Sequence, residues 1–311
     1  MNARRLLGVV LILSVAAGSC ARPAEDGRFA TPEEAVRDLN ARVKAGNLDE
    51  LLKLFGPDGR ELVSSSDPAT GRRNQEVFLA AMAEQWRLED HGPDSKELIV
   101  GNEDWPFPIP LVRDGQGWKF DAAAGKEEVL ARRIGRNELA AIDVCRAYVA
   151  AQHAYAKGRH DKKSSGLYAR KFNSDPGTQN GLYWPSKRGE PRSPLGDLVA
   201  AAATDGYDLG ARKEPEPFHG YYFRILTAQG PAAQGGARDY LENGELSGGF
   251  ALVAWPAQYD ATGIMTFIVG SDGTVLEKDL GPDTRTAAAA ISHYDPDPTW
   301  SRSEPTPANS R

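Results

Sequence analysis

Apolar residues dominate the chain from Leu6 to Ala17 (LLGVVLILSVAA), and no later stretch is as long and as apolar. From Thr31 the pattern becomes helical: Val36, Leu39 and Val43 recur at helical spacing. Thr31 is placed as an N-cap, Pro32 at the first helical position and Glu34 at the capping-box position. Gly46-Asn47 interrupts this helix, and Leu48, Leu51, Leu52 and Phe55 form a second apolar face closed by Gly56-Pro57-Asp58-Gly59. A third helix is predicted over Asn74 to Leu88, with Phe78, Met82 and Trp86 four residues apart on one face. After Gly92-Pro93-Asp94 the period shortens. Glu97 to Val100, Pro108 to Arg113 and Trp118 to Asp121 read as short strands, the last two joined by a turn at Asp114 to Gly117.

The second half repeats the order with longer elements. A long amphipathic helix opens at Arg136 and runs to about Lys157. Ala141, Val144, Tyr148, Ala151 and Tyr155 form its apolar stripe, with Cys145 beside it. A helical stretch from Ser193 to Ala203 follows. The β-rich runs are then Gly220 to Thr227, Gly249 to Trp255, Met265 to Val269 and, after a turn at Ser271-Asp272-Gly273, Thr274 to Lys278. One helix followed by an antiparallel meander makes the fold class α+β. The expected division is a signal over 1–19, a tether over 20–28, one domain over 29–125 and another over 126–300. The Pro- and Ser-rich end suggests a disordered tail over 301–311.

The twelve-residue apolar run is too short for a membrane-spanning helix, which takes about 20 residues. Preceded by Arg4 and Arg5 and followed by small residues, it has the pattern of a secretory signal. Ala17-Gly18-Ser19-Cys20 resembles a bacterial lipobox, which implies acylation of Cys20 and cleavage before it; the usual Leu is replaced by Ala17. Acyl chains buried at about 0.8 kcal/mol per methylene would hold the mature chain at a membrane. Ala21 follows the cysteine, not the aspartate that retains enteric-type lipoproteins at the inner membrane. The expected location is therefore the cell envelope, facing the periplasm, at the outer membrane in preference to the inner.

Composition narrows the chemistry. The formal net charge is −6, and loss of Arg4 and Arg5 with the signal makes the mature chain more acidic. Without a basic block, nucleic acid is not an expected partner. Besides Cys20 only Cys145 is present, so no disulfide framework exists within the chain. Cys145 sits mid-helix among Ile142, Val144 and Tyr148, the setting of a buried structural thiol. The five histidines (91, 153, 160, 219 and 293) are dispersed, and none pairs at metal-ligand spacing, so no metal is expected. Gly235-Gly236 and Gly248-Gly249 lack the lysine and the strand-loop-helix context of a phosphate loop and read as turns or bulges. No catalytic constellation and no cofactor motif emerges.

Three resemblances complete the sequence reading. Helices followed by a sheet that ends in "LVRDGQGWKF" resemble the NTF2-like cone folds, some of which are isomerases or dehydratases. That resemblance implies a pocket for which Trp86, Asp104, Trp105 and Phe107 are candidates, with Asp104 as an acid beside apolar walls. Core packing by the aromatic residues and a turn role for Asp104 is the competing reading, and His91 reads as a loop histidine. The second domain resembles type IV pilin and pseudopilin headgroups through Asn137-Glu138, Ala141-Ile142, Arg146, Ala151-Gln152 and Tyr155 on the helix. On the strands the carrying stretches are "GYYFRI", "FALVAWP" and "TFIVGSDGTVLEKD". The charged stretch "KEEVLARRIGR" before this helix departs from pilins, which need a long apolar helix there. Nearly the whole mature chain is also similar to the uncharacterised domain of unknown function 2950. The stretches that carry this are "EDWPFPIPLV", "GRNELAAIDVCRAYVAAQ", "GLYWP", "HGYYFRILTAQGP" and "GGFALVAWPAQY".

In the second domain, His219 and Tyr222 with Arg224 form a candidate interface. On a strand, His219, Tyr221 and Phe223 would share one face and Tyr222 and Arg224 the other, types that anchor interfaces. Internal sheet packing with Arg224 in a salt bridge accounts for the same pattern. The function expected is a lipid-anchored, non-catalytic binding or assembly module with an envelope protein as partner. The alternative is a small-ligand binder or enzyme using the NTF2-like pocket.

Overall fold

A computed structural model describes residues 27–56, 59, 68–186, 189–190, 192–204, 207 and 216–303. Cys20, with the signal and most of the tether, lies outside the described residues, as do 304–311. Helix α1 (Pro32–Ala45) starts as its sequence dictates: the Glu34 N–H donates to the Thr31 hydroxyl at 3.2 Å, and the Thr31 N–H donates to the Glu34 carboxylate at 3.3 Å. Gly46, at φ 65°, takes the left-handed conformation that ends it. Helix α2 (Leu48–Phe55) is capped by Asn47, whose side chain accepts from the N–H groups of Asp49 and Glu50.

Helix α3 (Pro68–Glu84) stops short of the expected Leu88. Trp86–Asp90 is a strand, β1, paired antiparallel with β2 (Ser95–Val100) in the register Trp86↔Val100 to Asp90↔Lys96. Trp86 satisfies a period of two with Leu88 as well as the helical spacing from Met82, and the partner strand decides between them. Short β3 (Trp105–Pro106) also pairs with β2, and β4 (Leu111–Arg113) forms the expected hairpin with β5 (Trp118–Phe120). The helices cover this sheet over a core that includes Val36, Leu39, Phe55, Leu98, Leu111, Trp118 and Phe120.

Helix α4 runs unbroken from Ala122 to Lys157, 36 residues or about 54 Å at 1.5 Å per residue. The expected boundary at 125/126 thus falls inside a helix. The charged stretch between Lys126 and Arg136 lies in its N-terminal half. Its C-terminal half packs on a second antiparallel sheet with the order β14-β13-β12-β11-β6. These strands are β6 (Tyr221–Leu226), β11 (Ala251–Pro256), β12 (Met265–Gly270), β13 (Val275–Asp279) and β14 (Ser301–Arg302). Between β6 and β11 lie two small ribbons, β7 (Ala228–Gln229) with β8 (Arg238–Asp239), and β9 (Leu241–Glu242) with β10 (Glu245–Leu246). Helix α5 (Gly196–Thr204) agrees with the expected stretch, whereas α6 (Thr284–Ala290) has no counterpart in the sequence reading.

The expected tail boundary at 301 also moves. Ser301 and Arg302 pair with Glu277 and Leu276, and Trp300 packs on the core with the Lys278 ammonium 5.7 Å from its ring centre. One aromatic residue and two ladder positions order this stretch despite its prolines.

The chain is therefore α+β, with helix α4 shared by two sheets. Buried polar groups hold α4 in place. Gln152 is fully buried and clasps the backbone of Ala169: its carbonyl accepts from the Ala169 N–H at 2.8 Å, and its amide donates to the Ala169 carbonyl at 2.8 Å. Asn137 donates to the Thr262 carbonyl at 2.8 Å, and Glu138 accepts from the N–H groups of Ile264 and Met265. These contacts tie the middle of α4 to the loop between β11 and β12. No described helix is long and apolar enough to cross a membrane.

Candidate functional site

Among the described residues, three large apolar side chains are exposed: Leu48 at 45%, Val77 at 52% and Trp105 at 42%. All three line one groove of about 1430 Å³. Isolated exposed apolar residues need no explanation, but their convergence on one concave surface makes it the candidate site. The floor is built by α1 through Leu39 and Val43, by α2 through Leu51, and by α3 through Val77 and Phe78. The β3 segment adds Trp105, Phe107 and Ile109.

Phe107 is the inner post of this wall. Its ring centre lies 5.6 Å from Phe78, 6.3 Å from Trp105 and 5.9 Å from Phe120, the last of which is in the core. Tilted and edge-on contacts of this kind fix Phe107 and leave Trp105 at the rim.

Helix α4 supplies the other wall. Arg132, Arg133 and Arg136 line the groove, and Asn137, Gly220 and Thr262 close the end nearest the second sheet. The Arg132 guanidinium lies 5.3 Å from the Trp105 ring centre, donates to the Pro106 carbonyl at 2.7 Å and pairs with Glu128 at 2.6 Å. Partial burial lowers the pKa of Arg133 and of Arg136, and for Arg133 the neighbouring Arg136 charge acts in the same direction. Both stay cationic at neutral pH, because a guanidinium does not lose its proton in proteins. At Gly220, held at φ 73°, a Cβ would come 2.6 Å from the Asn137 amide, so the groove's closed end requires glycine.

The residues expected at a pocket separate. Trp105 and Phe107 line the groove. Trp86 is half-buried on β1 and packs against the first core without lining it. Asp104, at φ 55°, is exposed in the turn before β3 and pairs with Arg87, outside the groove. The groove reaches the first core, since Leu39, Phe55, Val100 and Ile109 line it.

The candidate interface also changes. His219 lies in a turn at φ 47°, ahead of the strand, so it does not share a strand face with Tyr221 and Phe223 as expected. Its ring centre lies 4.2 Å from that of Phe218 and 5.1 Å from that of Tyr207, and the His219 backbone N–H donates to the Tyr207 hydroxyl. Tyr222 and Arg224 do share a face, over Trp255, at 5.7 Å and 5.4 Å. Arg224 donates to the carbonyls of Ala288, Ala289 and Ile291, and so caps the end of α6.

Two further clusters were not legible as sites. The β1–β2 register brings Glu89, His91 and Glu97 within 4.8 Å of one another, with His91 Nε2 3.1 Å from Glu97. A polar pocket of about 340 Å³ beside the stacked Tyr155 and His160 rings, 4.0 Å apart, has its cations engaged internally. Lys163 pairs with Glu245 at 2.7 Å, and Arg170 donates to the Gly244 carbonyl. Cys145 is fully buried, and burial pushes its thiol up to about 12, which makes it a poor nucleophile.

Sequence reasoning missed Leu48, Val77 and the α4 arginines as groove residues. The available signals were an apolar residue at the first position of α2 and three arginines within five positions of a helix. No curated protein and no solved structure matches the chain. The profile of DUF2950, described as protein of unknown function, matches residues 26–303 and so covers most of the sequence, and the chain belongs to that family.

Proposed function

We propose that the mature chain is a lipid-anchored, periplasm-facing envelope protein that acts as a non-catalytic binding or assembly module and engages its partner through the groove. The convergence of Leu48, Val77 and Trp105 on one concave surface carries this reading. Cys20 is the proposed lipidation site, at the outer membrane in preference to the inner, and the order Arg4-Arg5, apolar run, small residues, cysteine supports it. The finer fold reading belongs here too. Helices over a short antiparallel sheet support an NTF2-like N-terminal unit, and a long helix on a meander supports a pilin-headgroup-like C-terminal unit. The enzymatic alternative draws no support from Asp104, whose carboxylate is paired with Arg87 outside the groove.

The test is crosslinking and affinity capture of the full lipidated protein from intact envelopes, with Cys20→Ala and Val77→Glu as comparisons. The expected result is a stoichiometric partner recovered with wild type and lost with Val77→Glu. Equal recovery with both would remove the groove from the reading. Unchanged membrane association of Cys20→Ala would remove the lipid anchor.

A further inference from the structure

Strand β6 (Tyr221–Leu226) is an outer strand of the second sheet, with β11 on one side and no strand on the other. The Ala257 N–H donates to the Gly220 carbonyl at 2.8 Å, which sets the phase of the β6–β11 ladder. Bonded pairs alternate along an antiparallel ladder, so Tyr222, Arg224 and Leu226 turn their N–H and C=O groups towards β11. Those of Tyr221, Phe223 and Ile225 point away from the sheet. The chain itself closes both ends of this edge. Tyr221 exchanges bonds of 2.8 and 3.1 Å with Phe218, and the Thr227 carbonyl accepts from the Tyr240 N–H at 2.8 Å. Between these two anchors, the N–H and C=O groups of Phe223 and Ile225 form no hydrogen bond among the described residues. Solvent reaches the same stretch: Tyr222 to Ile225 are half-buried, whereas Tyr221, Leu226 and the facing Ala251 to Ala254 are buried.

Open edges are commonly blunted by brevity, charge, proline or a bulge, or are covered. Strand β14 is two residues long, β1 carries Arg87, Glu89 and Asp90, and β5 is bridged by Phe29. Strand β6 reads YYFRIL, and its one charge is withdrawn, with Arg224 drawn over Trp255 onto the carbonyls of Ala288, Ala289 and Ile291. Phe223 packs on the cluster of Val144, Ala202, Tyr207 and Phe218, and Ile225 on the second core, so the face they share is apolar. Four backbone groups alternating at strand spacing are complementary to another extended backbone.

We propose that the β6 edge binds an extended peptide segment of a partner protein, which adds one more strand and places apolar side chains opposite Phe223 and Ile225. The gap from Tyr221 to Thr227 spans about 20 Å at 3.4 Å per residue and admits about five residues. None of Tyr222, Phe223, Arg224 and Ile225 lines the groove, so the inference is independent of the groove reading.

The experiment is residue-resolved amide exchange by NMR on the purified mature chain, alone and with acetyl-Thr-Val-Thr-Val-Thr-amide. In the free chain the Phe223 and Ile225 amides should exchange at least about a hundredfold faster than those of Tyr222 and Arg224. The peptide should bind saturably and slow exchange at Phe223 and Ile225. Its comparison carries N-methyl groups on both valines, which keep the side chains and remove two donors, and should bind at least about tenfold more weakly. Ile225→Pro removes an outward donor and no bond to β11, so binding should fall about tenfold or more while the Tyr222 amide stays protected. Should that variant fail to fold, the methylated peptide decides alone. Equal protection of all four amides in the free chain, no saturable binding, or equal binding of the methylated peptide overturns the proposal. So does saturation that shifts Val77 and Trp105 and leaves exchange at Phe223 and Ile225 unchanged, which would assign the peptide to the groove.

Discussion

Replacing Gln152 with Met tests whether the clasp on Ala169 holds the long helix to the segment that follows it. Gln152 is fully buried, and its amide makes three hydrogen bonds: two with the Ala169 backbone and one donated to the Tyr148 hydroxyl at 3.0 Å. Methionine has a similar length and fills similar space, so the cavity contribution is small. What remains is a buried N–H and a buried C=O of Ala169 without partners, at about 1–3 kcal/mol each. Part of this is offset because a thioether is easier to bury than an amide, by about 1–2 kcal/mol. The net loss is about 2–4 kcal/mol, which corresponds to about 5–15 °C in Tm for a domain of this size. Urea unfolding should show a lower midpoint at unchanged m-value, since the surface exposed on unfolding is the same. A variant within about 0.5 kcal/mol of wild type would show that the segment around Ala169 is held by its apolar neighbours and that the clasp is incidental.

Three other outcomes follow from buried or paired groups. Thr266 is fully buried and its hydroxyl finds no partner, so Thr266→Val should stabilise by about 1 kcal/mol in the same urea titration; destabilisation would point to a bonded hydroxyl. Cys145 should resist alkylation in the native protein at pH 8 and react only as the chain opens, because its thiol is buried and pushed up to about 12. Mass-spectrometric labelling at the rate of an exposed thiol would contradict this. The Arg28 guanidinium beside Asp114 holds that carboxyl down from 3.8 to about 2. A carboxyl with a depressed folded pKa contributes stability above its unfolded value and loses it as pH falls through the folded one, so the loss belongs between about pH 4 and pH 2. An NMR titration of Asp114 should show the depressed midpoint, and Arg28→Ala should return it towards the ordinary carboxylate range.

Local chemistry is legible where the residues themselves impose it. The capping box of Thr31 and Glu34, the Asn47 break, the Asp114 to Gly117 turn and the four long strands of the second sheet can all be read from the order of residues alone. Trp86 cannot, because spacing alone supports both a fourth helical contact after Met82 and the first residue of a strand. Helix α6 escapes notice because Ala-rich residues 284–290 carry little periodic signal, and Arg224 in β6 supplies its C-terminal cap from 60 and more positions away. Of the candidate pocket, Trp105 and Phe107 are found and their arginine wall is not. "KEEVLARRIGR" departs from the pilin pattern, and only the fold shows which side of it faces the cleft.

The sequence by itself determined the α+β class, the family and the place of most elements. Caps, turns, hydropathic period and composition act over a few residues, so they can be read locally. Only the tertiary structure decided that one helix serves both sheets, that Asp104 turns away into a pair with Arg87, and that Leu48, Val77 and Trp105 meet across a groove beside Arg133 and Arg136. These outcomes depend on which surfaces remain uncovered once two cores have closed. Burial is a property of residues distant in sequence acting together, which no single stretch of chain encodes.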